Sequence, residues 1–163
     1  MDDKTILEVN KLAYSYTAQE TFSDISFQLH KGDIFVILGA NGAGKSTLLN
    51  CLSNLLTPLQ GEILLKGRNI VHIPIKEIAQ VLGYVPQVYV PTFSYAVRDY
   101  VVMGRAPHMG LLSVPGEAEY QKVDAVLKRM GIEHLIFLRK TYCQTVIKNM
   151  NNLATPNPCC ILN

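Results

Sequence analysis

The chain has 163 residues, 48% of them hydrophobic and 17% charged, with a formal net charge of +2. That is enough apolar material for a buried core in one domain of ordinary size, and it excludes disordered and collagen-like classes. The near-neutral balance speaks against a dedicated nucleic-acid binder, which gathers basic residues on one face.

In chain order, "TILEVNKLAYSY" reads as a strand, with Ile6, Val9 and Leu12 among polar residues. "SDISFQLHKGD" alternates more cleanly: Ile25, Phe27 and Leu29 point one way, and Ser26, Gln28 and His30 the other. This predicts a half-buried strand ending in a Lys31-Gly32-Asp33 turn. "IFVIL", residues 34–38, is apolar throughout, as expected of a strand covered on both faces. A glycine-rich loop follows. "KSTLLNCLSNLL" then places Leu48, Leu49, Leu52, Leu55 and Leu56 at helical spacing, before Pro58 and Gly61. "GEILLKGRNI" predicts a short strand and a turn, and "IKEIAQVLG" a helix closed by Gly83.

"YVPQVYVPTF" is extended and interrupted by Pro86 and Pro91, and "AVRDYVVMGR" predicts one short helix. "VPGEAEYQKVDAVLKRMG" is a stronger helix: Pro115 near its start, acids in the first turn, Lys128 and Arg129 in the last, and Gly131 as its stop. "YCQTVIKNMNNLATPNPCCILN" has no clear period, so no regular element is assigned to it.

The opening "MDDKTILEVN" has no apolar h-region, and no run of about 18 apolar residues occurs, so neither a secretory signal nor direct membrane insertion is expected. Cys51, Cys143, Cys159 and Cys160 show no metal or disulfide spacing. The histidines at 30, 72, 108 and 134 show no ligand spacing either. A reduced, cytoplasmic chain is the expectation.

The loop "ILGANGAGKSTLL" carries the chemistry. Gly39 to Ser46 fits G-x-x-x-x-G-K-[ST] between an apolar strand and a helix, a match that chance produces roughly once in 200 chains of this length. Gly42 and Gly44 permit backbone angles closed to other residues, and leave room for an anion. The backbone N–H groups of residues 42–47 can then form a nest around phosphate oxygens, helped by the positive end of the following helix. Lys45 supplies an ammonium for the β- and γ-phosphates, and the Ser46 hydroxyl is placed for Mg²⁺. The expected ligands are a nucleoside triphosphate and Mg²⁺, cradled by Gly39, Ala40, Asn41, Gly42, Ala43, Gly44, Lys45, Ser46 and Thr47. The plainer alternative is a connecting turn.

"LAYSY" before this loop, "YVPQ" after it and then "PTFSYAVRDYVVMGRAPHMG" complete a set. Together they resemble the nucleotide-binding subunit of an ABC transporter, and within that family the importers for iron–siderophore complexes, haem or cobalamin. The resemblance runs from about Leu7 to Tyr142. It implies an α/β fold, a P-loop NTPase of ABC type: an antiparallel β region near the N-terminus, a partial α/β core and an incomplete helical subdomain. It implies that ATP is the nucleotide and that Tyr16 stacks on adenine, with Tyr14 as a rival and packing on the sheet as the alternative role. It implies that Gln87 is the Q-loop glutamine, which touches Mg²⁺ and the attacking water and senses the permease; alternatively it stabilises the turn beside Pro86. Lys45 and Gln87 are thus the expected catalytic groups, and Ser46 and Gln87 the expected Mg²⁺ contacts. The segment Phe93–Gly110 would face membrane permease subunits, and a second nucleotide-binding subunit is the other implied partner. The chain would then sit in the cytoplasm, peripheral at the inner face of the membrane.

The resemblance fails after Tyr142. A Leu-Ser-Gly-Gly-Gln-like signature is expected near Cys143 and Gln144, where the chain reads "CQTVIKNMNNL". No apolar run ending in Asp-Glu and no histidine follows. This divides the chain into a partial nucleotide-binding domain, 1–142, and a non-family tail, 143–163. A reading-frame change near Tyr142 and an unrelated tail are the two explanations. Three readings remain: an importer subunit that binds ATP better than it hydrolyses it, a non-functional gene remnant, and a stand-alone P-loop kinase or GTPase. The missing strand should also expose a sheet edge and leave part of the core unfilled.

Overall fold

The structure is a computed structural model and describes residues 5–85, 95–110 and 112–138, together with the backbone of 159–162. Its chain divides between Val85 and Pro86 into two compact units.

The first unit is built on strands β1 (Thr5–Ser15) and β2 (Glu20–His30), β3 (Gln60–Leu65) and β4 (Arg68–Asn69), in the order β2-β1-β3-β4. All the pairings are antiparallel, with Val9 opposite Phe27 on one side and Ile63 on the other. Leu7, Val9, Ile63 and Leu65 form a buried face. Each contributes about 1.5–3 kcal/mol by leaving water. The sequence pattern suggests Ile6 as an inward residue, but Leu7 is the buried one, two positions before Val9. A register shift between Val9 and Leu12, with Lys11 at φ 47°, then returns Leu12 to the core. Such a bulge resets the period-2 pattern. Lys66 and Gly67, at φ 52° and 75°, make the tight turn from β3 to β4.

Helix α1 (Lys45–Leu52) packs Leu48, Leu49, Cys51 and Leu52 into the same core as β1 and β3. It stops short of the expected Leu56. The Ser53 hydroxyl donates to the Leu49 carbonyl at 2.8 Å, and Asn54 turns left-handed at φ 56°. Both are helix-ending devices. Helix α2 (Ile75–Val81) buries Ile78 and passes straight into β5 (Leu82–Val85), so Gly83 lies inside a strand rather than closing a helix. Strand β6 (Cys159–Leu162) pairs with β5, which puts a regular element in a tail that has no sequence period.

The segment 34–38 departs from expectation. It joins no ladder among the described residues, and one side of it is only partly covered, with Phe35 still 49% exposed. Phe35 stacks on Phe27 with centroids 4.7 Å apart, and Ile37 packs against the core. Ile34, Val36 and Leu38 are 93%, 66% and 87% exposed. The alternation of a strand is present, but the described chain supplies no layer for its outer face.

In the second unit, α3 (Val97–Met103) and α4 (Glu117–Arg129) bury Val97, Val102, Val123, Leu127 and Ile132 together. Helix α4 matches its sequence signals: Glu117 and Glu119 in the first turn, Lys128 and Arg129 in the last, and Gly131 at φ 67°. Arg98 grips Asp124 through two hydrogen bonds, 2.8 and 2.6 Å, and lies 4.6 Å over the Tyr120 ring. Arg105 and Lys122 both donate to Glu119 at 2.6 Å. The Arg105 bond, then that of Lys122, lowers the Glu119 carboxyl to about 2.

Candidate nucleotide-binding site

The candidate site lies in the first unit, where the extended segment from Asp33 meets the start of α1. The Ala43 N–H donates to the Ala40 carbonyl at 3.2 Å and closes the loop. Gly42 and Gly44 both have positive φ, 82° and 83°. At Gly42 a Cβ would meet nothing within 4 Å, so backbone conformation alone calls for glycine there. Gly44 answers two demands: its conformation, and the close approach of β2. A Cβ on it would lie 2.9 Å from Thr21 Cγ2 and 3.3 Å from Phe22 Cδ1.

Gly44 is also the N-cap of α1, with no side chain to cap it. Its carbonyl accepts from the Leu48 N–H at 2.8 Å. The amides of Lys45, Ser46 and Thr47 stand in the first turn, where helix geometry provides no carbonyl one turn back. They therefore present N–H groups and the positive helix end toward the loop. Lys45 folds over that loop, its Nζ donating to the carbonyls of Gly39 at 2.9 Å and Ala40 at 2.7 Å. This ammonium is held at the loop by neutral acceptors that an anionic oxygen can replace. The donor set of residues 39–47 therefore fits a polyphosphate.

Beside the loop stands an aromatic group. Tyr16 is 63% exposed, and its hydroxyl lies 3.5 Å from Thr47 Oγ1, at the outer limit of a hydrogen bond. Tyr14 is partly buried, edge-on to Tyr16 at 4.9 Å, and stacked on Phe22 at 6.3 Å. Of the two tyrosines, Tyr16 has the open ring, which supports it over Tyr14 as a base-stacking residue.

The structure thus gathers Tyr16 and residues 39–47 in one place. Gln87 lies outside the described residues. So does the stretch around Cys143 and Gln144. Sequence reasoning missed Thr21 and Phe22 behind Gly44, because their approach is a contact between β2 and the loop that leaves no local pattern. Among the described residues no group of three or more His, Cys, Asp or Glu side chains gathers in metal-binding fashion.

A left-handed glycine pair, a helix N-terminus and a lysine folded over the loop place the chain in the P-loop fold class. The chain belongs to the ABC transporter family, whose model matches residues 22–153. It is 38% identical over 132 residues to the "Probable iron chelatin transport ATP-binding protein" of Helicobacter pylori, covering 80% of this chain and 51% of that one. It is 37% identical over 130 residues to the molybdate import ATP-binding protein MolC of Haemophilus influenzae, covering 79% of this chain and 46% of that one. Among solved structures, a metal-chelate type ABC transporter in an inward-facing conformation matches with a TM-score of 0.72 and 32% identity, over 90% of this chain and 54% of that one. The chain spans about half the length of the curated relatives it matches.

Proposed function

We propose that this chain binds ATP with Mg²⁺ as the nucleotide-binding part of an ABC importer for a metal-chelate solute, iron–siderophore complexes first among them. The observation that carries the reading is the geometry at Gly44 and Lys45: a left-handed N-cap that opens α1 toward the loop, and an ammonium folded over it. The importer assignment rests on the relatives, one handling an iron chelate and another molybdate by name. Membrane permease subunits and a second nucleotide-binding subunit are the proposed partners, with the chain cytoplasmic and peripheral at the inner membrane face. No helix among the described residues is long and apolar enough to cross a membrane.

Lys45 and the amides of residues 42–47 would hold the phosphates, Ser46 would contact Mg²⁺, and the Tyr16 ring would stack on adenine. Mg²⁺ supplies charge neutralisation of the phosphate oxygens. Gln87 is proposed as the residue that positions the attacking water. The test is titration of the chain with MgATP by calorimetry. Lys45→Ala should abolish binding while the far-ultraviolet circular dichroism stays unchanged. Equal binding by the variant would sink the assignment of the loop.

The remnant reading keeps one observation in its favour, the bare apolar face of Ile34, Val36 and Leu38. A chain that does not accumulate as soluble protein under any expression condition would support it. A soluble monomer that binds MgATP would reject it.

A further inference from the structure

We infer that Tyr14 is a positioning residue for the nucleotide site: it holds Tyr16 in its base-stacking position and ties it to the phosphate loop through Phe22. The inference rests on the reading of residues 39–47 and Tyr16 as a nucleotide site, and it goes beyond that reading by assigning a role to a side chain that touches no nucleotide.

Four contacts make a closed path. Phe22 stands behind the loop, its Cδ1 3.3 Å from where a Cβ on Gly44 would be. Tyr14 stacks on Phe22 with centroids 6.3 Å apart and planes at 27°. Tyr16 meets Tyr14 edge-on at 4.9 Å and 75°. The Tyr16 hydroxyl then returns to α1, 3.5 Å from Thr47 Oγ1. Gly44 and Thr47 flank the first turn of α1, so the aromatic path begins and ends on the helix start that presents its amides to phosphate.

The path explains why an exposed tyrosine stays in place. Tyr16 sits just past the end of β1, where an unsupported side chain would sample several rotamers. Its hydroxyl contact is long and weak. The edge-on contact with Tyr14 is the stronger restraint, and Tyr14 is itself fixed from behind by Phe22, opposite it across the β1–β2 ladder. A ring held in its bound orientation loses less entropy when the base arrives.

The experiment is a double-mutant cycle on MgATP affinity, with calorimetry as readout and thermal midpoints as the fold control. Tyr14→Leu should weaken MgATP about three- to tenfold, the range an aromatic pair commonly supplies. Tyr14→Phe, which keeps the ring, should restore affinity. In a Tyr16→Ala background, Tyr14→Leu should have no further effect. Should Tyr14→Leu not fold, Phe22→Leu takes its place in the same cycle. The inference is overturned by an undiminished affinity in Tyr14→Leu, or by the same loss with and without Tyr16. A wild-type chain that binds no MgATP overturns the site reading itself, and Lys45→Ala separates that outcome from failure of the aromatic path alone.

Discussion

Gly61 lies against the backbone of Lys11, so closely that a Cβ on it would fall 2.6 Å from the Lys11 carbonyl carbon. Gly61 also has φ 82°. Both facts arise where β3 begins beside the bulge in β1. Gly61→Ala must therefore strain the backbone and push two central strands apart. It should destabilise the chain by about 2–3 kcal/mol. Gly42→Ala has the same sign of φ but open space around it, and should cost only about 1 kcal/mol. Urea midpoints of the two variants check the order; equal losses would show that the close approach of β1 and β3 does not persist in solution.

Glu119 sets a pH dependence in the second unit. Hydrogen bonds from Arg105 and Lys122 lower its carboxyl from 4.5 to about 2. A carboxylate whose folded value is depressed stabilises the fold fully above the unfolded value, and that contribution is lost as pH falls through the folded one. The contribution should therefore decline from about pH 4.5 down to about pH 2. Amide exchange of α4, followed from pH 5 to pH 2, should accelerate over this window beyond its intrinsic pH dependence. Glu119→Gln should flatten the change. A variant with the same slope as wild type would assign the acid sensitivity elsewhere, with Asp124, lowered by Arg98, as the next group to test.

The two sides of the segment 34–38 should respond oppositely to charge. Ile34 and Val36 are exposed, so Ile34→Lys and Val36→Lys should shift stability by within about 0.5 kcal/mol. They should also reduce self-association, because an uncharged apolar strip that joins no ladder among the described residues is a pairing template. Ile37 packs against the core, and Ile37→Lys should destabilise by several times as much. Light scattering and thermal midpoints of the three variants are the measurement. Equal destabilisation at 36 and 37 would mean that both faces are covered.

Much of the candidate site is legible in the sequence alone. The positive φ of Gly42 and Gly44, the start of α1 at Lys45, and the ends of α4 follow from constraints confined to a few neighbouring residues. A glycine next to a helix start, acids in a first turn and a glycine after a last turn act through backbone angles and the nearest hydrogen bonds. The family resemblance likewise lives in local runs, above all "GANGAGKSTLL".

The tertiary structure decided the rest, because a side chain's burial depends on residues far away in sequence. Leu7 rather than Ile6 points inward because a bulge at Lys11 and pairing with Ile63 and Leu65 set the register. Gly83 is in β5 because a strand, not solvent, follows α2. Thr21 and Phe22 reach Gly44 because β2 runs back beside the loop, and Tyr14 takes its place between Phe22 and Tyr16 for the same reason. The apolar run 34–38 marked a segment that needs cover on two sides. Only the packing of Phe35 and Ile37 against the sheet, with Ile34, Val36 and Leu38 left bare, showed which side receives it. Composition states how much apolar surface a segment carries; the arrangement of distant strands determines whether that surface leaves water.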